Sequence, residues 1–255
     1  MIVIDHYYNG PFPKMGLQPM QSKGFKLSMK ILNRLTPPSN AMVENLYFTP
    51  SSGKVHFAVT SPVTDKSYGF RDSQKSHVFQ LSVKDYRHAK AHPSIFKQMM
   101  RDPSSVGDLE QICLDESAVK PQALSFDEAD ILIQAFSQGE LWDVINVLLM
   151  HKVRSDFSAR VSLPGCDPER IVFCLLKMLP YTDRILNYTT MDYPPQMPEG
   201  PYILTVNNVQ PRRVSVENHG ESDYSPLVDN LIERLLKRDV GGVYSLQEEY
   251  ASQFD

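Results

Sequence analysis

Nowhere does the sequence run to about 18 consecutive apolar residues, the minimum for a membrane-spanning helix. Its opening, MIVIDHYY, carries an aspartate and a histidine by the sixth residue, so it is expected to be a strand rather than the apolar core of a secretion signal. Cysteine is scarce: Cys113, Cys166 and Cys174 are odd in number and contain no Cys-x-x-Cys pair, which argues against a disulfide framework and for free buried thiols in a reducing compartment. The expected location is therefore the cytoplasm. G-x-S-x-G, a Walker-type GK[ST] loop and G-x-G-x-x-G are all missing, so nucleophilic hydrolase, P-loop and dinucleotide readings lack their usual supports. The chain itself is not expected to bind GTP or ATP, nor any cofactor. No internal repeat or low-complexity tract is present.

What is there is core-forming material. Of 255 residues, 42% are hydrophobic and 10% aromatic, which excludes a disordered chain, while the length leaves one large domain or two small ones open. The net charge of -4 is unevenly spread. Residues 1–100 hold 13 Lys+Arg against 5 Asp+Glu, residues 101–141 hold 2 against 9, and the remainder 11 against 16. A basic first part could meet nucleic acid, phosphate or an acidic protein, but its charges are scattered rather than clustered, and the favoured expectation is that they lie against the chain's own acidic segment.

One stretch, Cys166 to Met191, combines three instructions. Asp167 can cap and Pro168 suits the first helical position. Ile171, Val172, Cys174, Leu175, Leu176, Met178 and Leu179 then cover so much of the helix surface that it must be buried on more than one side. Pro180 disfavours helix at Leu179, and Ile185 to Met191 reads as a strand.

Before it, alternation predicts strands at Met1 to Tyr8, Gly24 to Leu32, Met42 to Phe48, Lys54 to Thr60, Ser67 to Arg71 and Ser76 to Val83. The segment NGPFPKMG reads as a loop rather than a tight hairpin, Met29 to Leu35 could turn helical instead, and TPSSG joins one strand pair. Asp85 to Met100 is expected helical in two pieces, interrupted by Pro93. From residue 101 helices take over. Ser125 and Glu128 have capping-box spacing and open a helix carrying Phe126, Ala129, Leu132, Ile133 and Phe136; Gly139 is expected to end it, and Leu141 to Met150 to complete a helical hairpin. Arg160 to Leu163 and Tyr202 to Val209 read as short strands. Ser225-Pro226 starts an amphipathic helix with Leu227, Val228, Leu231, Ile232, Leu235 and Leu236 at helical spacing, ended by Gly241-Gly242, after which the last dozen residues form a short helix or fray. The expected fold class is thus α+β: a β-rich part over 1–100 with a mixed or antiparallel sheet, and a helix-rich part over 101–255 with fewer strands, packed as one unit.

Candidate chemistry is sparse. His88 and His92 have the spacing for a metal on one helix face, but Pro93 adjoins them and no third ligand follows, so no metal site is expected. Cys166 and Cys174 read as structural thiols rather than a redox or zinc pair. The acidic pairs Asp115-Glu116, Asp127-Glu128 and Glu248-Glu249 read as solvated faces, because neighbours on a helix do not face one another. Gln210-Pro211-Arg212-Arg213 is a turn whose two guanidiniums could hold an anion or a partner, with solvated charges the plainer reading. His77 shares a strand face with core residues and must find a partner there.

The opening HYY strand leading to GFKLSMKIL, the YGF then SHVFQLSVKDY pair, ARVSLPG before a helix, and KMLPYTDRILNYTTM together resemble the N-terminal domain of the bacterial GTPase-associated proteins, encoded beside a GTPase in conflict and signalling systems. They span most of residues 1–210. The LP-x-x-x-R-x-L-x-[FY]-x-T arrangement is also similar to part of the DENN modules that regulate small GTPases. The proline-rich loop after Met191 and the short C-terminal tail depart from the family pattern, and leave no expected room for a further large domain. The resemblance implies a non-enzymatic adaptor or regulator that contacts a GTPase in antiviral defence. The contact residues expected are Asp183 and Arg184 in the turn, Arg212 and Arg213, and Leu231 and Leu235 on the last amphipathic helix. Two other classes stay open: an enzyme on nucleic acid or nucleotide phosphates using His77 with Asp85 or Arg184, and a structural subunit that oligomerises through that helix or an open sheet edge.

Overall fold

The computed structural model describes residues 1–12, 15–36, 44–63, 74–107, 109–115, 123–151, 156–191, 202–217 and 222–253. Strand β1 (Ile2–Phe12) continues past Asn9-Gly10, and β2 (Gly16–Gln21) folds back on it antiparallel, with Phe12 opposite Gly16. Asn9 to Phe12 and Gly16 of NGPFPKMG are therefore paired strand residues where a loop was expected, and Pro13 and Lys14 lie outside the described residues. Gly10 serves close approach: a Cβ there would collide with the Tyr8 ring. Gly24 to Leu32 is not a strand. Ser28 accepts from the Ile31 amide and caps helix α1 (Met29–Leu35), which buries Leu32 and Leu35, so the capping residue outweighs the alternation.

Strands β3 (Asn45–Ser51), β4 (Lys54–Pro62) and β5 (Gln74–Ser82) form an antiparallel meander, and β5 also pairs with β1. The β3–β4 connection is only two residues, Ser52 and Gly53, both at positive φ, the hand that matches strand twist. The strand expected at Ser67 to Arg71 lies outside the described residues. The two expected helical pieces are α2 (Val83–His88) and α3 (Ser94–Gln98), and β6 (Ile112–Leu114) adds to β1.

The second part contributes α4 (Phe126–Ala135), α5 (Gln138–Met150), β7 (Ser158–Ser162), α6 (Pro168–Lys177), a 3-10 turn at Tyr181–Asp183, β8 (Tyr188–Thr189), β9 (Leu204–Asn207), β10 (Arg213–Glu217), α7 (Ser225–Leu236) and α8 (Val240–Ala251). Ser125 and Glu128 form the expected capping box. Gly139 does not end a helix but lies in the first turn of α5, which opens on a second capping box, Ser137 with Glu140. Nor do α4 and α5 make a hairpin with each other as their main contact: α4 packs on α6 and α5 on α7. Phe126 faces solvent, at 62% exposure. Helix α7 closes at Arg238 in a left-handed conformation, and Gly241-Gly242 belong to α8, where the Gly242 amide donates to Asp239 at 2.8 Å.

All described strands belong to one mixed sheet of order β10-β7-β9-β8-β3-β4-β5-β1-β2, with β6 also on β1. The pairs β7–β9 and β8–β9 are parallel, the rest antiparallel. The joint between the two parts is the β3–β8 ladder, where Phe48 lies opposite Tyr188 and their rings stack at 5.2 Å. The chain is α+β. One face of the sheet carries Phe48, Phe57 and Phe79 and packs against the helices from α2 onward; the other carries Tyr47, Ala58 and Val78 under α1. Among the described residues no helix is long and apolar enough to cross a membrane.

Candidate functional site

The cross-strand register sets His77 between Tyr8 of β1 and Val59 of β4. It is 3% exposed, with the Tyr8 ring edge-on at 4.8 Å. Its partner is Asp102, in the loop after α3: Nε2 lies 3.0 Å from Oδ1, and Lys75 donates to Oδ2 at 2.6 Å. Burial pushes the His77 pKa down against the pull of Asp102. Burial would raise Asp102, but the hydrogen bonds from Lys75 and His77 outweigh it and hold the carboxyl below its ordinary value. The result is a neutral imidazole whose Nε2–H donates to a carboxylate. Such a pair has the form of an oriented base, yet the accessible member is Asp102, 50% exposed and already neutralised by Lys75, while the imidazole is enclosed.

The two residues expected to work with His77 lie elsewhere. Asp85 sits in the first turn of α2, where its carboxylate accepts from Ser82 Oγ at 2.6 Å and its amide donates back at 3.0 Å. Arg184 follows the 3-10 turn, is 3% exposed, and donates through Nε to the Leu179 carbonyl at 3.1 Å. Burial lowers its pKa, with Tyr86, Tyr244, Glu248 and Asp183 opposing. Asp183, at 0% exposure, accepts from Thr182 Oγ1 at 2.6 Å. The expected contact turn is thus a buried corner. Around it, Lys90 pairs with Glu248 at 2.5 Å and lies over the Tyr181 ring, and Gln247 donates to the Lys177 carbonyl at 2.7 Å, fastening α8 over the turn.

Beside that corner His92 is fully buried, its pKa pushed well below the ordinary value by burial and then by Arg184 and Lys177. His88 is exposed at the end of α2, so the two histidines do not share a helix face as metal ligands. No group of three or more His, Cys, Asp or Glu among the described residues could hold a metal. Cys174 is buried and raised by burial to about 12, but Cys113 on β6 is exposed and Cys166 only half-buried, so not all three thiols are enclosed.

Arg212 is not a free anion clamp. Its two terminal nitrogens meet both Glu140 oxygens at 2.8 and 2.7 Å, and that contact pulls Glu140 down to about 2. Arg213 is exposed at the start of β10, in a strand where a turn was expected. Leu231 and Leu235 are buried, because the apolar face of α7 meets α5 and α4 rather than a partner; Trp142 of α5 donates to Asp229 of α7 at 2.8 Å along the same contact.

Sequence reasoning missed Asp102, which is 25 positions from His77 and brought to it only by the path of a loop. Lys75 was in reach of prediction, two residues before His77 and so on its strand face. Of the thirteen basic residues of the first part, three are turned on acids of the second among the described residues: Lys75 on Asp102, Lys90 on Glu248, and Lys97 on Glu169 as well as on Glu44. Compared with known proteins, the chain matches no family model, no curated protein and no solved structure.

Proposed function

We infer that the chain is a non-enzymatic adaptor or regulatory subunit of a GTPase-associated conflict or signalling system, working in the cytoplasm through contacts with a GTPase or another protein of that system. The observation that carries this reading is the dispersal of the groups an enzyme would need. His77 is held by Asp102, Asp85 by Ser82 and Arg184 by the Leu179 carbonyl, on three separate elements. Chemistry on a phosphate or a base requires such groups to converge on one reacting atom. The pairing of Lys75, Lys90 and Lys97 with the chain's own acids favours a protein partner over nucleic acid, since it removes cations that would otherwise neutralise phosphates.

The test is capture of partners from the host's lysate on the purified chain, at low and high salt, with and without nuclease. A GTP-binding protein recovered at stoichiometric level and insensitive to nuclease is the expected result. Recovery of nucleic acid alone, lost steeply with salt, would overturn the reading and make His77→Ala in a cleavage assay the next step.

A further inference from the structure

The sheet ends asymmetrically. At one edge β2 carries Pro19, which has no backbone N–H to offer. At the other, β10 (RVSVE) pairs with β7 alone, and no described strand lies beyond it, so one row of its backbone groups faces outward. Strand β10 has no proline, no lysine and no bulge, and its charges, Arg213 and Glu217, stand only at its two ends.

Its five residues read alike in size from either end, while the two end charges are opposite in sign. An antiparallel copy centred on Ser215 sets Arg213 opposite Glu217 and Val214 opposite Val216 on both sides of the two-fold axis. Residues facing one another across strands share a sheet face. Val214 and Val216 pack toward the main core, and Arg213, Ser215 and Glu217 alternate with them onto the opposite face. The register therefore keeps valines with valines beneath the helices and matches each arginine to a glutamate. Of the registers that keep the faces aligned, those centred on Val214 or Val216 pair fewer residues and separate the charges. Arg213 has no ion pair among the described residues, and Glu217 accepts only from Ser158, at 3.0 Å.

The helix layer leaves room. Helix α5 packs on both β7 and β10, and so lies over the pair. With strands about 4.8 Å apart, the copy of α5 across the axis falls about 9.6 Å away, within the ~8–10 Å at which helices pack.

From the open edge and this self-complementary register, we propose that β10 docks on β10 of a second copy of the chain, joining two sheets into one through a two-fold axis at Ser215. This pairing does not depend on the adaptor reading. Two five-residue strands bury less than the ~1,200–2,000 Å² of a standard interface, so the association is weak and concentration-dependent.

Sedimentation velocity across a concentration series on the full chain tests it. Expected is a shift toward the mass of two chains at high concentration. Arg213→Glu or Glu217→Arg alone puts like charges opposite one another twice per dimer and weakens association about tenfold; the two together restore it, which a merely misfolded variant would not do. Ser215→Cys is expected to give a disulfide-linked dimer under oxidant, above whatever the parent's own thiols yield. A monomer at every concentration, or a dimer indifferent to both single reversals, would overturn the proposal. A monomer that still retains a GTP-binding protein would sink the pairing and leave the adaptor reading standing; a dimer that retains none would do the reverse.

Discussion

At His92 a second proton would be set against a backbone amide, with only the Ser94 hydroxyl beside it to accept. Nε2 lies 3.2 Å from the Phe173 carbonyl and must donate to it, while Nδ1 takes the Ser94 amide at 3.2 Å and sits 2.9 Å from Ser94 Oγ. Protonation would turn Nδ1 into a donor against that amide, next to Arg184 and Lys177. The folded pKa lies below the unfolded value near 6.5, so the unfolded chain binds the proton more readily, and stability is full above about pH 6.5 and lost as pH falls beneath it. His77 adds to the loss with the same sign. Thermal melts at about pH 7.5 and about pH 5 should show the melting temperature falling, and His92→Gln, which cannot titrate, should flatten the difference. The hydroxyls of Tyr86 and Tyr188, near either side of Phe48, are buried without a hydrogen-bond partner among the described residues. Removing an unsatisfied hydroxyl removes a desolvation cost, so Tyr188→Phe is expected to hold or raise stability by about 1 kcal/mol in a denaturant titration. A loss of that size would mean the hydroxyl has a partner.

Among the elements, α7 makes the clearest quantitative demand. Leu231 is buried between α7 and its neighbours, so Leu231→Ala should cost ~2–5 kcal/mol in unfolding free energy, whereas a contact leucine on an open face would cost little. Elements whose signals agree were legible in the sequence. Val55, Phe57 and Val59 mark one face of β4, His77, Phe79 and Leu81 one face of β5, and α6 combines Asp167, Pro168 and a nearly continuous apolar surface. Where two signals compete, the weaker one misleads. Alternation hid α1 behind an apparent strand until Ser28 is weighed as a cap, and Gly139 drew attention from the Ser137–Glu140 box that brackets it. Strand β10 has two valines among five residues and follows a Pro-Arg-Arg turn signal, so nothing local separates it from a loop; its partner β7 decides. The site was legible only as far as strand faces reach. His77 could be placed on a buried face, but Asp102 could not be found, because a loop's path is set by packing and not by spacing.

On the scale of the whole molecule, the β3–β8 ladder carries the sheet from the basic first part into the acidic remainder, and ion pairs away from that ladder also join the two. Part of the charge asymmetry visible in the sequence is internal: Lys75, Lys90 and Lys97 each meet an acid of the second part. Partly exposed pairs of this kind contribute modest stability each, on the order of 1 kcal/mol or less; their larger consequence is that fewer cations remain to attract phosphate. The most direct measurement is native mass spectrometry of the complex that the chain forms in its host, for the parent and for His77→Ala. The account predicts the same mass for both, that of the chain with a GTP-binding protein and no nucleic acid. A complex whose added mass is nucleic acid, or one that His77→Ala alters by leaving a substrate uncleaved, would contradict it.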